Sequence, residues 1–202
     1  MVSNLMFCKQ VTLKEELEIF LEDGDPQSSI PFWIWLLENP QSPISLPGKI
    51  DLFNHDCLHV LFGLEKSPED EAVVLGLTLG SEPKFNRFHM LIFKFFSRFI
   101  YPGVFKFNKH HLKILDQAYL YARNQKFPNF SQIEFRQKIY QNASLDILRK
   151  LLKIKLEEVK NLKILDRQQS QKSNAIEDCE GKIALLNASK VPVKLCSKSM
   201  AA

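Results

Sequence analysis

The sequence has 202 residues, of which 45% are hydrophobic, so the chain is long enough for one domain with a substantial core. Its four cysteines form no CxxC pair, which argues against a disulfide framework or a thiolate metal site and fits a reducing compartment. The net charge of +4 hides an asymmetry: residues 1–70 hold 4 Lys, no Arg and 12 acids, whereas residues 71–202 hold the other 23 basic residues and 11 acids. That split suggests one face for an anionic partner.

Neither a targeting segment nor a membrane-spanning segment is predicted. Residues 1–10 lack a basic stretch followed by a long apolar run, and they are not the Arg- and Ser-rich mixture of a transit peptide. The apolar runs elsewhere are broken well before the roughly 20 residues that a bilayer requires. We therefore expect a cytoplasmic protein, with a peripheral position on a membrane as the alternative.

The first predicted helix covers residues 12–23. Thr12 and Glu15 form a capping box, and an apolar stripe follows them and stops at a glycine. A short buried helix at residues 31–37 comes next and contains two Trp side chains, which we interpret as core or pocket wall. Residues 40–48 are rich in Pro and Ser, so we expect a loop there.

Two helices are then predicted to meet across a short loop. Gly63 suits the C-terminus of the first helix. The second begins with Ser67 as N-cap, Pro68 at the first helical position and Asp70 reaching back as in a capping box. This second helix, at about residues 68–80, is apolar almost all round and must be buried.

This helix pair carries the candidate ligands of a metal ion. His55, Asp56 and His59 lie within roughly 100° of one another around the first helix, so two imidazoles and a carboxylate share one face. His59 and Glu71 are each four residues from the loop, so a hairpin places them at similar heights on helices whose axes are roughly 8–10 Å apart. Such a set suits zinc, manganese or ferrous iron. A His pair at this spacing, taken alone, is more often an ordinary pair of core or surface histidines.

Two neighbours of the candidate ligands have distinct interpretations. Asp51 lies one turn before His55 and either accepts the second N–H of that imidazole or is an N-terminal acid favoured by the helix dipole. Cys57 lies about 200° round the helix from His55, so we expect it to be away from the ligands.

Residues 84–100 predict a basic amphipathic helix. Four cations fall within about 80° around the axis, and six apolar side chains cover the opposite arc. The helix either has a solvated basic face over a Phe-rich core or lies at an anionic membrane surface or lipid cavity. The cations are Lys84, Arg87, Lys94 and Arg98, and the apolar residues are Phe85, Phe88, Ile92, Phe95, Phe96 and Phe99.

Three further helices are predicted, at 109–125, at about 131–140 and at about 144–165. His110 and His111 begin the first of these and have no acid at ligand spacing, so we interpret both as surface residues. The last helix alternates apolar residues with lysines, which is typical of a solvated outer face. Nucleic acid is not an expected partner, because no aromatic or Gly-rich RNA module accompanies these lysines.

The predicted fold is an all-α single domain of about seven helices with a metal site on a helix hairpin. Residues 1–165 form this helical metal-binding domain, to which the resemblance described below adds lipid binding, and residues 166–202, which lose periodicity and apolar density, form a loosely ordered tail. A Gly-rich phosphate loop, a nucleophile elbow and a strand-rich region are absent from the sequence. Hydride transfer on a Rossmann fold and triad hydrolysis are therefore poor expectations.

The HDCLH sequence at residues 55–59, followed after eleven residues by Glu71, matches the pattern HDxxH-x11-E. The flanking stretches LPGKIDLFNHDCLHVLFG and EAVVLGLTLGS also resemble the coenzyme Q (ubiquinone) biosynthesis family of scaffold and ring-decarboxylation proteins. The similarity runs from about residue 31 to about residue 165. The resemblance implies an all-helical protein that holds zinc or another divalent ion and acts on polyprenylated benzoquinone precursors. The ligands it implies are His55, Asp56, His59 and Glu71.

The resemblance implies two alternative functions. One is a metal-dependent decarboxylase or hydroxylase that replaces the carboxyl group of a prenylated 4-hydroxybenzoate-type ring by a hydroxyl. The other is a non-catalytic lipid-binding scaffold, in which four ligands close a structural tetrahedral site. The partners expected are a polyprenylated lipid or quinone, other quinone-biosynthesis proteins, a membrane surface and a second copy of the chain. A His-Asp phosphohydrolase is a weaker third interpretation, because it needs a further distant His and Asp.

Overall fold

The computed structural model describes residues 10–22, 42, 46–101, 103 and 106–164 of the chain. These residues contain eight α-helices and no strand, apart from one isolated bridge between Thr12 and Ser144. The prediction of an all-α fold is confirmed. The helices are α1 (Leu13–Glu22), α2 (Leu52–Phe62), α3 (Pro68–Ser81), α4 (Arg87–Phe95), α5 (Lys109–Gln125), α6 (Lys138–Gln141), α7 (Leu145–Leu151) and α8 (156–164).

Some predictions fall on other parts of the chain. The short helix at 31–37, most of the loop at 40–48 and the tail at 166–202 lie outside the described residues. The first predicted helix is present as α1, with the Thr12 and Glu15 side chains bound to each other's backbone N–H groups as a capping box.

The loop between α2 and α3 has the predicted end signals. Gly63 ends α2 in the left-handed conformation with a φ of 63°, and its N–H donates to backbone carbonyls of the last turn. The Ser67 hydroxyl accepts from the N–H of Asp70 and donates to the Asp70 carboxylate, which starts α3. Only five residues consequently separate the end of α2 from the start of α3, and Glu71 lies in the first turn of α3.

Two glycines fix α3 tightly against α5. A Cβ atom on Gly76 would lie 2.6 Å from the Cβ of Ala118, and one on Gly80 would lie 2.6 Å from the carbonyl oxygen of Tyr119. Because any side chain at these two positions would collide with α5, the helices approach more closely than a Leu-lined interface allows. The position of α3, and of the residues it carries, is therefore set by backbone packing.

The prediction of a helix at 131–140 is wrong. The structure instead has a single 3₁₀ turn at Phe130–Gln132, followed by the four-residue helix α6. Phe130 and Phe135 are both fully buried, and five residues of regular helix would point them about 140° apart. The chain bends between them so that both rings enter the core.

The predicted single helix at 144–165 is also wrong, because it is interrupted. Lys153 has a φ of 61°, and the N–H of Ile154 donates to the carbonyl of Arg149 at 2.8 Å, as in a Schellman helix end. The turn buries Ile154, and α8 starts again at residue 156.

Helix α4 begins at Arg87, later than predicted, because Asn86 caps it together with His89. Its last turn continues as a π-helix at Phe96–Ile100. The predicted cations Lys94 and Arg98 are bound within the protein, to the Asp116 carboxylate and to the Phe107 carbonyl. The interpretation as a solvated basic face over a Phe-rich core is therefore wrong in part: Lys84 and Arg87 are exposed and Phe85 is buried, but Phe88, Phe95 and Phe99 are exposed.

Candidate metal site

Helices α2 and α3 bring two imidazoles and a carboxylate together. The Nε2 atoms of His55 and His59 lie 3.1 Å apart. The Glu71 carboxylate bridges them, with Oε2 at 3.1 Å from the His55 Nε2 and Oε1 at 3.2 Å from the His59 Nε2. Within the described part of the chain, this is the single group of three His, Cys, Asp or Glu side chains with ligand atoms all within 4.8 Å of one another.

The separation of the two nitrogens fits a shared cation. Two Zn–N bonds of about 2.0–2.1 Å that meet at a tetrahedral angle place their nitrogens about 3.3 Å apart, close to the 3.1 Å between His55 and His59. The Nδ1 atom of His59 is buried and has no hydrogen-bond partner among the described residues. The polar contacts of this ring are therefore directed through Nε2 into the group. The donor set, two imidazoles and one carboxylate, suits a divalent ion of borderline softness.

The charge of Glu71 is favoured by its neighbours. Burial by itself raises the pKa of this carboxyl group, but the charges and hydrogen bonds of His55 and His59 outweigh burial and hold the pKa far below its ordinary value. Glu71 is consequently an anion at neutral pH, which is the form that binds a metal ion.

Helix α1 covers one side of the group. The Phe20 ring stacks on the His59 ring, with centroids 5.5 Å apart and planes inclined by 28°. The Lys66 ammonium lies 4.5 Å from the centroid of the Phe20 ring and donates to the Phe20 carbonyl at 3.0 Å. As a result, the His59 side chain is only 1% exposed, whereas the Glu71 side chain is 33% exposed. A small molecule would therefore reach the group from the side of Glu71.

Asp56 is not a member of this converging group. Burial raises the pKa of its carboxyl group, with His55, His59 and Lys66 acting in the opposite direction, so it lies near the site without meeting the other three. Its assignment as a ligand stays a prediction.

Asp51 acts at the start of α2. Its carboxylate accepts from the backbone N–H of Asn54 at 3.2 Å and forms a salt bridge with Arg136, whose Nη2 lies 2.8 Å from Oδ1. These are the contacts of an N-terminal acid, the second of the two sequence interpretations. Although burial opposes the ionised form, Arg136 and Asn54 lower the pKa of Asp51.

Cys57 is fully buried on the core side of α2, as predicted. Burial, together with the charges of Asp56 and Asp51, raises the pKa of its thiol to about 12, so it stays protonated and is a poor metal ligand.

The interpretation of His111 as a surface residue is wrong. Its side chain accepts from the N–H of Asn108 in a capping box at the start of α5, and the residue is 8% exposed. Its Nε2 lies 3.9 Å from a carboxylate oxygen of Glu69 on α3. The spacing Asn108-x-x-His111 was the sequence signal for this role, because a histidine at the third helical position can reach back to the cap.

Several residues that hold the ligand helices had no signal in the sequence. Arg149 of α7 donates to the carbonyls of Val60 and Leu61 at the C-terminal end of α2. Lys163 of α8 binds the Asp70 carboxylate at 2.6 Å, next to Glu71. Each contact joins segments about ninety residues apart, which helix periodicity does not reveal.

None of the described helices is both long and apolar enough to cross a bilayer. The chain matches no protein-family model, no curated protein and no solved structure. Of the four residues of the HDxxH-x11-E pattern, His55, His59 and Glu71 meet in one group.

Proposed function

We propose that this chain binds a divalent metal ion through His55, His59 and Glu71 and acts in the biosynthesis of ubiquinone or a related prenylquinone. The metal assignment is carried by one observation: both imidazole Nε2 atoms and the Glu71 carboxylate lie within 3.1–3.2 Å of one another. The quinone assignment is supported by the sequence pattern and its flanking stretches. Zinc is the first candidate, because two imidazole nitrogens and a carboxylate are ligands that zinc takes, with the fourth position of a tetrahedral site left open.

The protein residues would have separate roles. The two histidines and Glu71 hold the ion, and the Phe20 ring excludes water from the buried face of His59. Because the Glu71 side chain is partly exposed, the head group of a polyprenylated ring would approach the ion from that side. A divalent ion bound there would supply Lewis-acid chemistry toward a carboxylate or phenolate of the ring.

A catalytic role is favoured over a purely structural one. Structural zinc sites use four protein ligands, whereas catalytic sites use three and keep one position open. Because Asp56 is not in the converging group, the described residues supply three ligands. The reaction class we propose is oxidative decarboxylation, which is a hydroxylation, of a prenylated 4-hydroxybenzoate-type ring. The bond between the ring and its carboxyl carbon breaks with release of CO2, and a ring C–O bond forms with an oxygen atom from water. Because zinc has no redox chemistry, the two electrons and two protons released must pass to an external acceptor, for which we name dioxygen. The second candidate, a lipid-binding scaffold that organises other quinone-biosynthesis proteins, requires Asp56 to close the site.

The metal assignment is tested by replacing one ligand. His59→Ala should remove most of the bound metal, measured by elemental analysis of the purified protein, while circular dichroism shows nearly unchanged helicity. His89→Ala is the matched control, because His89 is part of the α4 cap and not of the metal group. Full metal retention in His59→Ala would contradict the assignment.

The quinone assignment needs a separate measurement. Native mass spectrometry of the purified protein should detect one divalent ion together with a co-purified prenylated aromatic lipid. An ion without any lipid, even after incubation with prenylated 4-hydroxybenzoate, would contradict the substrate class and leave the metal site intact.

A further inference from the structure

Helix α4 and the π-helical turn after it expose an apolar stripe. Its members Phe88, Leu91, Phe95 and Phe99 are 67%, 66%, 52% and 66% exposed, and we name them the α4 stripe. Their spacings of three and four residues place them on one face. The Phe95 and Phe99 rings are neighbours, with centroids 5.5 Å apart. Single exposed apolar residues need no explanation, but four large apolar side chains exposed on one face of a helix indicate a contact surface.

The opposite face of the same helix is fixed in the protein. Met90, Phe93 and Ser97 are buried there, and the Ser97 carbonyl accepts from the N–H of Phe107 at 2.9 Å. The Lys94 ammonium also binds the Asp116 carboxylate of α5. Because these contacts hold α4 in one rotation, the α4 stripe cannot turn inward to bury itself.

The surroundings of the stripe are cationic. Residues 83–115 contain seven Lys and Arg and no Asp or Glu. Arg87 is exposed at the N-terminal end of the stripe. After the π-helical turn, Lys106 and Lys109 are exposed on either side of Phe107, whose backbone is bound to Ser97 and Arg98. Exposed cations therefore precede and follow the apolar row in the segment that carries it.

We propose that the α4 stripe docks on an anionic lipid bilayer, with its four side chains inserted at the boundary between head groups and acyl chains. An interfacial helix of this kind combines large apolar residues on one face with flanking Lys and Arg, and binds through buried apolar area plus attraction to anionic lipids. A second copy of the chain is a poorer occupant. Symmetric pairing of two such faces would bring their exposed cations together, and Asp116, the acid bound to Lys94, is already paired within each copy.

This docking is independent of the metal site and of the quinone assignment, since it uses none of the residues His55, His59 or Glu71. None of the described helices can cross a bilayer, so the α4 stripe is what would keep the protein at a lipid surface.

The apolar contribution is tested by co-sedimentation of the full chain with vesicles of phosphatidylcholine containing about 30 mol% phosphatidylglycerol, which have the negative surface potential that attracts Lys and Arg. The double variant Phe95→Ser and Phe99→Ser should bind at least about tenfold more weakly than the unmodified chain. The matched control is Ile147→Ser with Leu151→Ser on α7, which are 57% and 66% exposed. We expect the control to bind like the unmodified chain.

The cationic contribution is tested on the same vesicles. Lys106→Glu with Lys109→Glu should weaken binding at least about tenfold. The control is Lys138→Glu with Lys160→Glu, which changes the net charge equally at exposed positions outside residues 83–115. An unmodified chain that does not sediment, or controls that lose binding as much as their test variants, would overturn the proposal. If Phe95→Ser with Phe99→Ser leaves vesicle binding unchanged but lowers the mass of the protein in solution, measured by light scattering, the stripe binds a second copy of the chain and the proposal is wrong.

Discussion

At the scale of single residues, the site depends on the convergence of three side chains from two helices. The His55 and His59 Nε2 atoms are one helical turn apart and point the same way, so they face each other at 3.1 Å. Glu71 reaches both from α3 and is kept ionised by them, because their hydrogen bonds and charges outweigh the cost of its burial. Asp56 is close enough to feel the charges of all three but does not converge with them.

Paired substitutions at Asp56 and Glu71 separate a three-ligand site from a four-ligand site. Glu71→Gln removes the anionic ligand and should weaken zinc binding by at least about 100-fold, since the amide is a poor ligand. Asp56→Asn should cost about tenfold or less, because only the charge near the ion is lost. Competitive titration with a chromophoric chelator measures both. Equal losses for the two variants would show that Asp56 is the fourth ligand, which favours the structural scaffold.

At the scale of helices, α3 is positioned by its glycines and by the contacts at its ends. Gly76 and Gly80 remove the side chains that would separate α3 from α5. Ser67 caps the N-terminal end, and Glu82, at the C-terminal end, accepts from the side chains of Asn129 and Ser131. The position of Glu71 thus depends on residues that never touch a metal ion.

Gly76→Ala should lower the free energy of unfolding by about 1–3 kcal/mol, although alanine favours helix formation. The new Cβ would lie 2.6 Å from the Ala118 Cβ and 2.7 Å from the Leu115 carbonyl oxygen, so α3 must move away from α5. Urea unfolding measures the loss. Adding Ala118→Gly removes only the first of these contacts and should restore part of the stability. A Gly76→Ala protein as stable as the unmodified chain would contradict this close packing.

Because of Glu82, the free energy of unfolding should decrease in acid. Burial alone would raise the pKa of its carboxyl group, but the Lys84 N–H, Asn129 and Ser131 lower it below the ordinary 4.5. Ionised Glu82 therefore stabilises the fold fully above pH 4.5, and this contribution is lost as the pH falls through the lowered folded-state value. Glu82→Gln should reduce the difference between the urea midpoints at pH 7 and at about pH 3.

Glu157→Gln is the matched control for Glu82→Gln, because Glu157 is exposed on α8. Its substitution should leave the acid dependence as it is in the unmodified chain. If both variants keep the same difference between the two urea midpoints, the hydrogen bonds of Glu82 do not contribute to the acid dependence.

At the scale of the whole molecule, three further helices contact the metal site or the two helices that carry it. Helix α1 covers His59 through Phe20, α7 binds the C-terminal carbonyls of α2 through Arg149, and α8 binds the start of α3 through Lys163. A ligand that binds only the folded site should therefore stabilise all of these elements together.

Zinc should raise the melting temperature. At a free concentration of 100 times Kd, binding adds about 2.7 kcal/mol to the free energy of unfolding, which corresponds to about 5–10 °C for a chain of this size. Calorimetry with zinc and with a chelator in excess measures the difference. His59→Ala should show nearly the same melting temperature in both conditions. A similar shift in this variant would indicate that zinc acts elsewhere on the protein.

Much of this protein is determined locally by its sequence. The all-α class, the start of α1 at Thr12, the loop between Gly63 and Ser67, and the bounds of α5 follow from helix periodicity and capping residues, which act within one or two turns. The proximity of His55, His59 and Glu71 was predictable for the same reason. The end of α2, the start of α3 and the five-residue loop between them place these three residues at similar heights on the two helices.

Only the tertiary structure decided the remaining features. The stacking of Phe20 on His59, the salt bridge of Arg136 with Asp51, the breaks that bury Phe135 and Ile154, and the exposure of Phe95 and Phe99 all depend on which distant segments meet. Helical angles place the cations and the aromatic residues of α4 on opposite arcs, but they do not say which arc faces the core. That choice follows from the competition of all apolar side chains for a limited buried volume, which is a property of the whole chain and not of any one segment.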